Sequence, residues 1–195
     1  MKYKKITDNK VFGFGIFVPK RYYPYILKYK REIGPYINWF IKKDYKYPRT
    51  NSMRMHITIK YLGYHKKYSN KEILRLAPKL KEISLKYLPL EVKVRGIKVG
   101  TKHDDVGVLL NFKRNPKIDK FHNEIINSLG KDIDNFENID GKNFAQHITI
   151  SSGQKTHDNI KNLRRIARES KFDKEIKIVC GQPYIFLKKI GPIKI

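Results

Sequence analysis

Apolar and polar positions alternate along this chain in short blocks, each of strand or helix length. Val11–Val18 reads VFGFGIFV and ends at Pro19, which predicts a buried first strand where Gly13 and Gly15 permit close backbone approach. Pro24 opens a short helix with Ile26, Tyr29 and Ile33 on its apolar face, closed by Gly34-Pro35. Met55–Leu62 predicts a second strand, ended by Gly63. Ser69 and Glu72 form a capping-box signature, followed by Ile73, Leu76, Ala77, Leu80, Ile83 and Tyr87 at helical spacing. Pro78 falls inside that pattern and is expected to kink or split the helix. Glu91–Val99 alternates as EVKVRGIKV, a strand, and Val106–Phe112 is another after the turn His103-Asp104-Asp105. Asn115-Pro116 opens a helix with Ile118, Phe121, Ile125 and Leu129 on one face, stopped by Gly130. Phe144–Ser151 predicts a strand, and Thr156 caps a helix carrying Ile160, Leu163, Ile166 and Ala167. Glu175–Cys180 and Tyr184–Leu187 close the chain as strands.

The predicted order is β, α, β, α, β, β, α, β, α, β, β, with no Gly/Ser linker or low-complexity block. That order predicts one α+β domain over residues 1–195, built of two related lobes.

Within this pattern one tetrapeptide recurs. His-Ile-Thr-Ile occurs at His56–Ile59 and again at His147–Ile150. With 26 Ile, 6 Thr and 6 His in 195 residues, a chance recurrence is about one in several hundred, taking composition as the only prior. A repeated sequence generally records a repeated structural unit. On an extended strand, alternate side chains share a face. Each copy therefore sets a histidine beside a threonine hydroxyl on one face and directs two isoleucines to the other.

Two such strands facing each other would supply two imidazoles and two hydroxyls around one cleft. Cleaving a phosphodiester requires one group to activate the nucleophile and another to protonate the leaving oxygen. Histidine gives or takes a proton near neutral pH, so His56 and His147 are the candidate catalytic pair. Thr58 and Thr149 can donate hydrogen bonds to the non-bridging oxygens. His147 is assigned as the base and His56 as the acid. No Cys/His or Asp/His cluster has ligand spacing, so neither metal nor cofactor is expected. His65, His103, His122 and His157 read as solvated or structural.

Composition adds a partner. The net charge of +25 creates a positive field that attracts polyanions, so RNA or a nucleotide is the expected substrate. The competing explanation is codon bias, since Lys, Ile, Asn and Tyr are over-used together. Residues 34–54 mix Tyr36, Trp39, Phe40, Tyr45 and Tyr47 with Lys42, Lys43, Lys46 and Arg49. Such a mix either stacks bases and holds phosphates or forms a half-buried cover with solvated lysines. No run of 18 apolar residues predicts a membrane helix, and the basic N-terminus lacks a cleavage site. The single Cys180, in an apolar strand pattern, suits a reducing compartment as a buried inert thiol. A cytoplasmic monomer without membrane contact is the expectation.

The pattern His56-Ile-Thr58-Ile-Lys-Tyr-Leu-Gly63, followed by His147-Ile-Thr149-Ile, resembles the 2H phosphoesterase superfamily. That superfamily includes the RNA 2′,3′-cyclic phosphodiesterases, also called 2′-5′ RNA ligases. The resemblance covers nearly the whole chain. It implies two lobes of antiparallel sheet flanked by helices, with a cleft between them. It also implies metal-independent hydrolysis of RNA 2′,3′-cyclic phosphate ends or 2′-5′ linkages. Tyr61 matches an aromatic position. Lys60 stands where the cyclic phosphodiesterases usually carry a small residue, and as a cation on the face of His56 and Thr58 it joins the expected substrate-binding set. Ser151-Ser152 replaces a basic residue common in the RNA-processing members. Other members of the superfamily degrade 2′-5′ oligoadenylates or cyclic dinucleotides, viral ones among them. Others only bind nucleotides, a role that does not require two proton-transfer groups.

Overall fold

Two four-stranded antiparallel sheets meet edge to edge in the computed structural model of the chain, which describes residues 11–26, 55–102, 105–136, 139–154, 157–169 and 171–195. The first sheet takes β1 (Val11–Phe17), β2 (His56–Tyr64), β7 (Gln182–Leu187) and β8 (Gly191–Lys194) in the order β2-β1-β7-β8. The second takes β3 (Leu90–Lys102), β4 (Asp105–Phe112), β5 (Thr149–Gln154) and β6 (Lys171–Cys180) in the order β5-β4-β3-β6. The architecture is the α+β arrangement expected from the sequence. Each copy of His-Ile-Thr-Ile lies at the start of an edge strand, β2 in one sheet and β5 in the other.

The helices follow their sequence signals. Ser69 and Glu72 close the reciprocal capping box on α1 (Asn70–Leu74). Pro78 does split the expected helix, because a proline fits the first turn of a new helix and not the interior of an old one. The second half is α2 (Ala77–Tyr87). In α3 (Pro116–Leu129) Asn115 caps the start by accepting from Lys117 N at 2.9 Å, and the expected face of Ile118, Phe121, Ile125 and Leu129 is buried. In α4 (His157–Glu169) Leu163 and Ile166 are buried, and this helix packs on β3.

One face of each sheet is apolar. Phe12, Phe14 and Ile16 of β1 share a buried cluster with Ile57, Ile185 and α3, where Phe121 meets Phe14 edge-on at 5.8 Å. Val92, Val94, Ile97, Val108, Leu110 and Ile178 of the second sheet belong to the same cluster, as does Ile148. Cys180 is buried in it, and burial pushes its thiol up to about 12, so it is not a thiolate nucleophile near neutral pH.

Some strand bounds differ from the expectations: β2 continues through Gly63 to Tyr64, and β6 begins at Lys171, not Glu175. The second histidine strand begins at Thr149, not Phe144, and β8 is an additional strand that the sequence pattern does not predict. Several expectations lie outside the described residues: the Pro24 helix beyond Ile26, the aromatic and cationic stretch 34–54, and the Thr156 cap.

Candidate active site

The edges of the two sheets touch at one antiparallel bridge, Ile57 opposite Ile148. These are the second residues of the two tetrapeptides, and both are fully buried. Directly opposed residues share a face of an antiparallel pair, and their chain neighbours share the other. Continuing the register one residue each way sets His56 opposite Thr149 and Thr58 opposite His147. All four side chains then belong to one face, each histidine across from the other copy's threonine. In that register His56 and His147 are diagonal cross-strand neighbours.

The copies also share a distortion. In β2 an extra residue, Ile59, separates the Gly15↔Thr58 pair from Phe14↔Lys60. In β5 an extra residue, Ile150, separates Leu109↔Thr149 from Val108↔Ser151. A β-bulge thus falls at the last isoleucine of both copies. An extra residue inverts the side-chain phase beyond it.

That inversion corrects the expectation for Lys60. Instead of sharing the face of His56 and Thr58, Lys60 pairs with the buried Phe14 and points into the core, with 1% of its surface exposed. Its ammonium donates to Asp140 Oδ2 at 2.7 Å, to the Asp134 carbonyl at 2.8 Å and to the Tyr61 carbonyl at 2.9 Å. Burial lowers its pKa while Asp140 opposes that shift. Tyr61 takes the place that Lys60 was expected to hold. It lies opposite Gly13 on the face of Thr58, and burial raises its pKa while the Thr58 side chain opposes that shift.

On the face of His56 the first sheet is aromatic. The His56 ring meets Phe186 edge-on at 4.9 Å and Tyr184 at 5.7 Å, and Phe17 stacks on Tyr184 at 3.9 Å. Gly15 makes this packing possible, since a Cβ there would lie 2.5 Å from the Ile57 carbonyl and 2.6 Å from the Tyr184 hydroxyl. Burial raises the Tyr184 phenol well above its usual range, so it stays protonated.

His147 sits in the irregular approach to β5, and side chains replace the missing strand pairing there. Gln146 accepts from Asn115 N at 2.8 Å and donates to Asn115 O at 2.8 Å, so its amide bonds that backbone as a neighbouring strand would. It also donates to Asp119, which Arg114 holds with two hydrogen bonds. The His147 imidazole bonds through Nδ1 to the Ala145 carbonyl at 2.8 Å. A carbonyl only accepts, so Nδ1 carries a proton, and in the neutral imidazole the free lone-pair position is Nε2.

His122, read from sequence as solvated or structural, is structural, and with Asp140, which sequence reasoning missed, it braces the two copies. Buried His122 donates from Nδ1 to the Ile59 carbonyl at 2.6 Å and accepts from Gly141 N at 3.3 Å. Its ring stacks on Phe144 at 3.9 Å. Asp140, which holds Lys60, lies 3.7 Å from His122 Nε2. Burial lowers the pKa of His122; the Ile59 bond, Asp140 and Asp119 oppose that shift and Lys60 adds to it. The neutral form is then required in the folded state only. Above the ordinary value near 6.5 both states are neutral and this stability is fully present; as pH falls toward the depressed folded value, the unfolded chain gains a proton that the folded one refuses. Urea midpoints measured between pH 7.5 and 5.5 are expected to fall more steeply in the wild type than in His122→Gln. Parallel profiles would show that His122 is not the titrating brace.

Among the described residues no group of three His, Cys, Asp or Glu is placed to hold a metal, and no helix is long and apolar enough to cross a membrane. By sequence the chain matches no family model and no curated protein. By structure it is similar to Usb1 of Kluyveromyces marxianus, with a TM-score of 0.56 and 9% identity over 95% of this chain and 97% of that one. A phosphoesterase crystal structure is similar over 96% of this chain and 94% of its own, with a TM-score of 0.46 and 11% identity. TT0787 of Thermus thermophilus gives a TM-score of 0.46 and 12% identity over 95% and 93%. The likeness to Usb1 runs end to end through both sheets at an identity that leaves only the fold in common. The chain has the bilobal α+β fold of the 2H phosphoesterases.

Proposed function

We propose that the chain is a metal-independent phosphodiesterase acting on RNA 2′,3′-cyclic phosphate ends or 2′-5′ linkages. The observation that carries this reading is the Ile57–Ile148 bridge, because its register turns two distant histidines and two threonines onto one face. In this reading His147 Nε2 takes a proton from water as the water oxygen bonds to phosphorus. The bond from phosphorus to the ribose oxygen breaks, and His56 delivers a proton to that oxygen. Thr58 and Thr149 donate to the non-bridging oxygens, where negative charge grows, and Tyr61 orients the Thr58 hydroxyl. Both proton transfers are supplied by side chains, so the reading requires no metal.

The test is incubation in EDTA with a panel of cyclic-phosphate-ended RNA, 2′-5′ oligoadenylate and cyclic dinucleotides. Turnover of the cyclic-phosphate RNA is expected to persist in the chelator. Loss of turnover that added metal restores would overturn the mechanism, and turnover of cyclic dinucleotides alone would move the substrate. Thr58→Val and Thr149→Val keep the shape and remove the hydroxyl, and each is expected to slow turnover by about 10- to 1000-fold. Unchanged kinetics in both would mean that the hydroxyls serve only their neighbours.

A further inference from the structure

The face that carries His147 and Thr149 does not end at β5. Thr149 pairs with Leu109, and Leu109 pairs with Lys98 of β3, so the three lie in one row on the same face of the second sheet. The next row holds Gly96 opposite Asn111, on the side of His147, because Leu110 N donates to the Ile148 carbonyl. Further along β3, Lys93 pairs with Lys177 of β6 on that face. Lys93, Lys98, Asn111 and Lys177 are all exposed, whereas the opposite face is covered by α4 and the core.

An antiparallel sheet ordinarily leaves one face to water, so exposure alone assigns nothing. Three features distinguish this face. It is continuous with the histidine face through the Ile57–Ile148 bridge. It is low beside Thr149, because Gly100 pairs with Gly107 and Leu109 lies across Gly100, where a Cβ would meet Leu109 Cδ1 at 3.0 Å. It is also cationic. Among the described residues, Lys93, Arg95, Lys98 and Lys177 stand against Glu91 and Glu175. Those carboxylates pair with Lys177, Arg95 and, at 4.0 Å, Lys93. No carboxylate is paired with Lys98 among the described residues.

We propose that this face is the track of a single-stranded nucleic acid, its backbone running from Thr149 past Asn111 to Lys98 and on to Lys93 and Lys177. The assignment rests on the phosphodiesterase reading for what lies at the Thr149 end. Lys98 stands two strand spacings, about 10 Å, from Thr149. Lys93 lies about 16 Å further along β3 at the usual rise per residue. That length accommodates several nucleotides, so the substrate class is an oligonucleotide and not a mononucleotide.

The experiment is fluorescence anisotropy of a labelled single-stranded RNA octamer on the full chain, titrated across a salt series. Removing two phosphate contacts in Lys93→Ala/Lys98→Ala is expected to make the slope of log affinity against log salt shallower by about 1.4, at about 0.7 per contact for single strands. Lys81→Ala/Lys120→Ala removes the same charge from α2 and α3, on the far side of the first sheet, and is expected to leave the slope as in the wild type. An unchanged slope in the first pair, an equal change in both pairs, or no binding by the wild type would each overturn the track. Hydrolysis by the wild type is assayed in parallel. Its absence alongside a shift confined to the first pair would overturn the catalytic reading while upholding the track.

Discussion

His147→Ala and His56→Ala are each expected to lower turnover of a cyclic-phosphate RNA by about 10²- to 10⁴-fold, the usual worth of a general acid or base. In the proposed mechanism the two imidazoles serve one proton-transfer sequence, so the double variant is expected to be little slower than either single one. Multiplicative losses would instead indicate two independent contributions to binding. Neither ring is part of the buried apolar cluster, so both variants are expected to unfold within a few degrees of the wild type. A single variant that retained near-wild-type turnover would sink the paired mechanism. The two residues differ in how they are held. His147 is held through Nδ1 by the Ala145 carbonyl, whereas the ring of His56 lies against Tyr184 and Phe186. Gln146 has no proton to transfer, yet its grip on Asn115 fixes the backbone from which His147 projects.

What was legible in the sequence was local. A capping box, a helix-splitting proline and the four-residue apolar face of α3 are each decided within a few positions, and each stands where expected. The repeated tetrapeptide was legible because both copies keep the same four residues. What escaped was set by partners far along the chain. A bulge depends on how two strands pair, so alternation read from β2 alone assigned Lys60 to the wrong face. Its carboxylate partner, Asp140, lies 80 residues away in a segment without a strand or helix pattern. The start of β5 was misplaced for a related reason, since residues ahead of Thr149 are alternating in sequence but bonded through the Gln146 side chain. β8 is four residues long and contains Gly191 and Pro192, a composition that signals a turn more than a strand.

Lys60→Ala is expected to destabilise the fold by about 3–5 kcal/mol, the cost of leaving a buried carboxylate without its counter-ion. In a domain of this size that corresponds to a melting temperature lower by roughly 10 °C or more. The lysine side chain is fully buried, and Asp140 also accepts from Phe136 N, so the pair ties β2 to the segment that leads into the second histidine. Lys60→Met keeps most of the volume and isolates the electrostatic part. Combining it with Asp140→Asn removes both charges, and the double variant is expected to recover part of the loss, because neighbours in one network are not additive. Urea unfolding of the four proteins measures that coupling. The same variants decide where the lysine acts: loss of a Lys60 that reached substrate would raise KM at unchanged stability, whereas loss of the buried Lys60 is expected to lower the midpoint and leave the KM of the folded protein unchanged. A Lys60→Met protein as stable as wild type, with weakened substrate binding, would return the residue to the cleft.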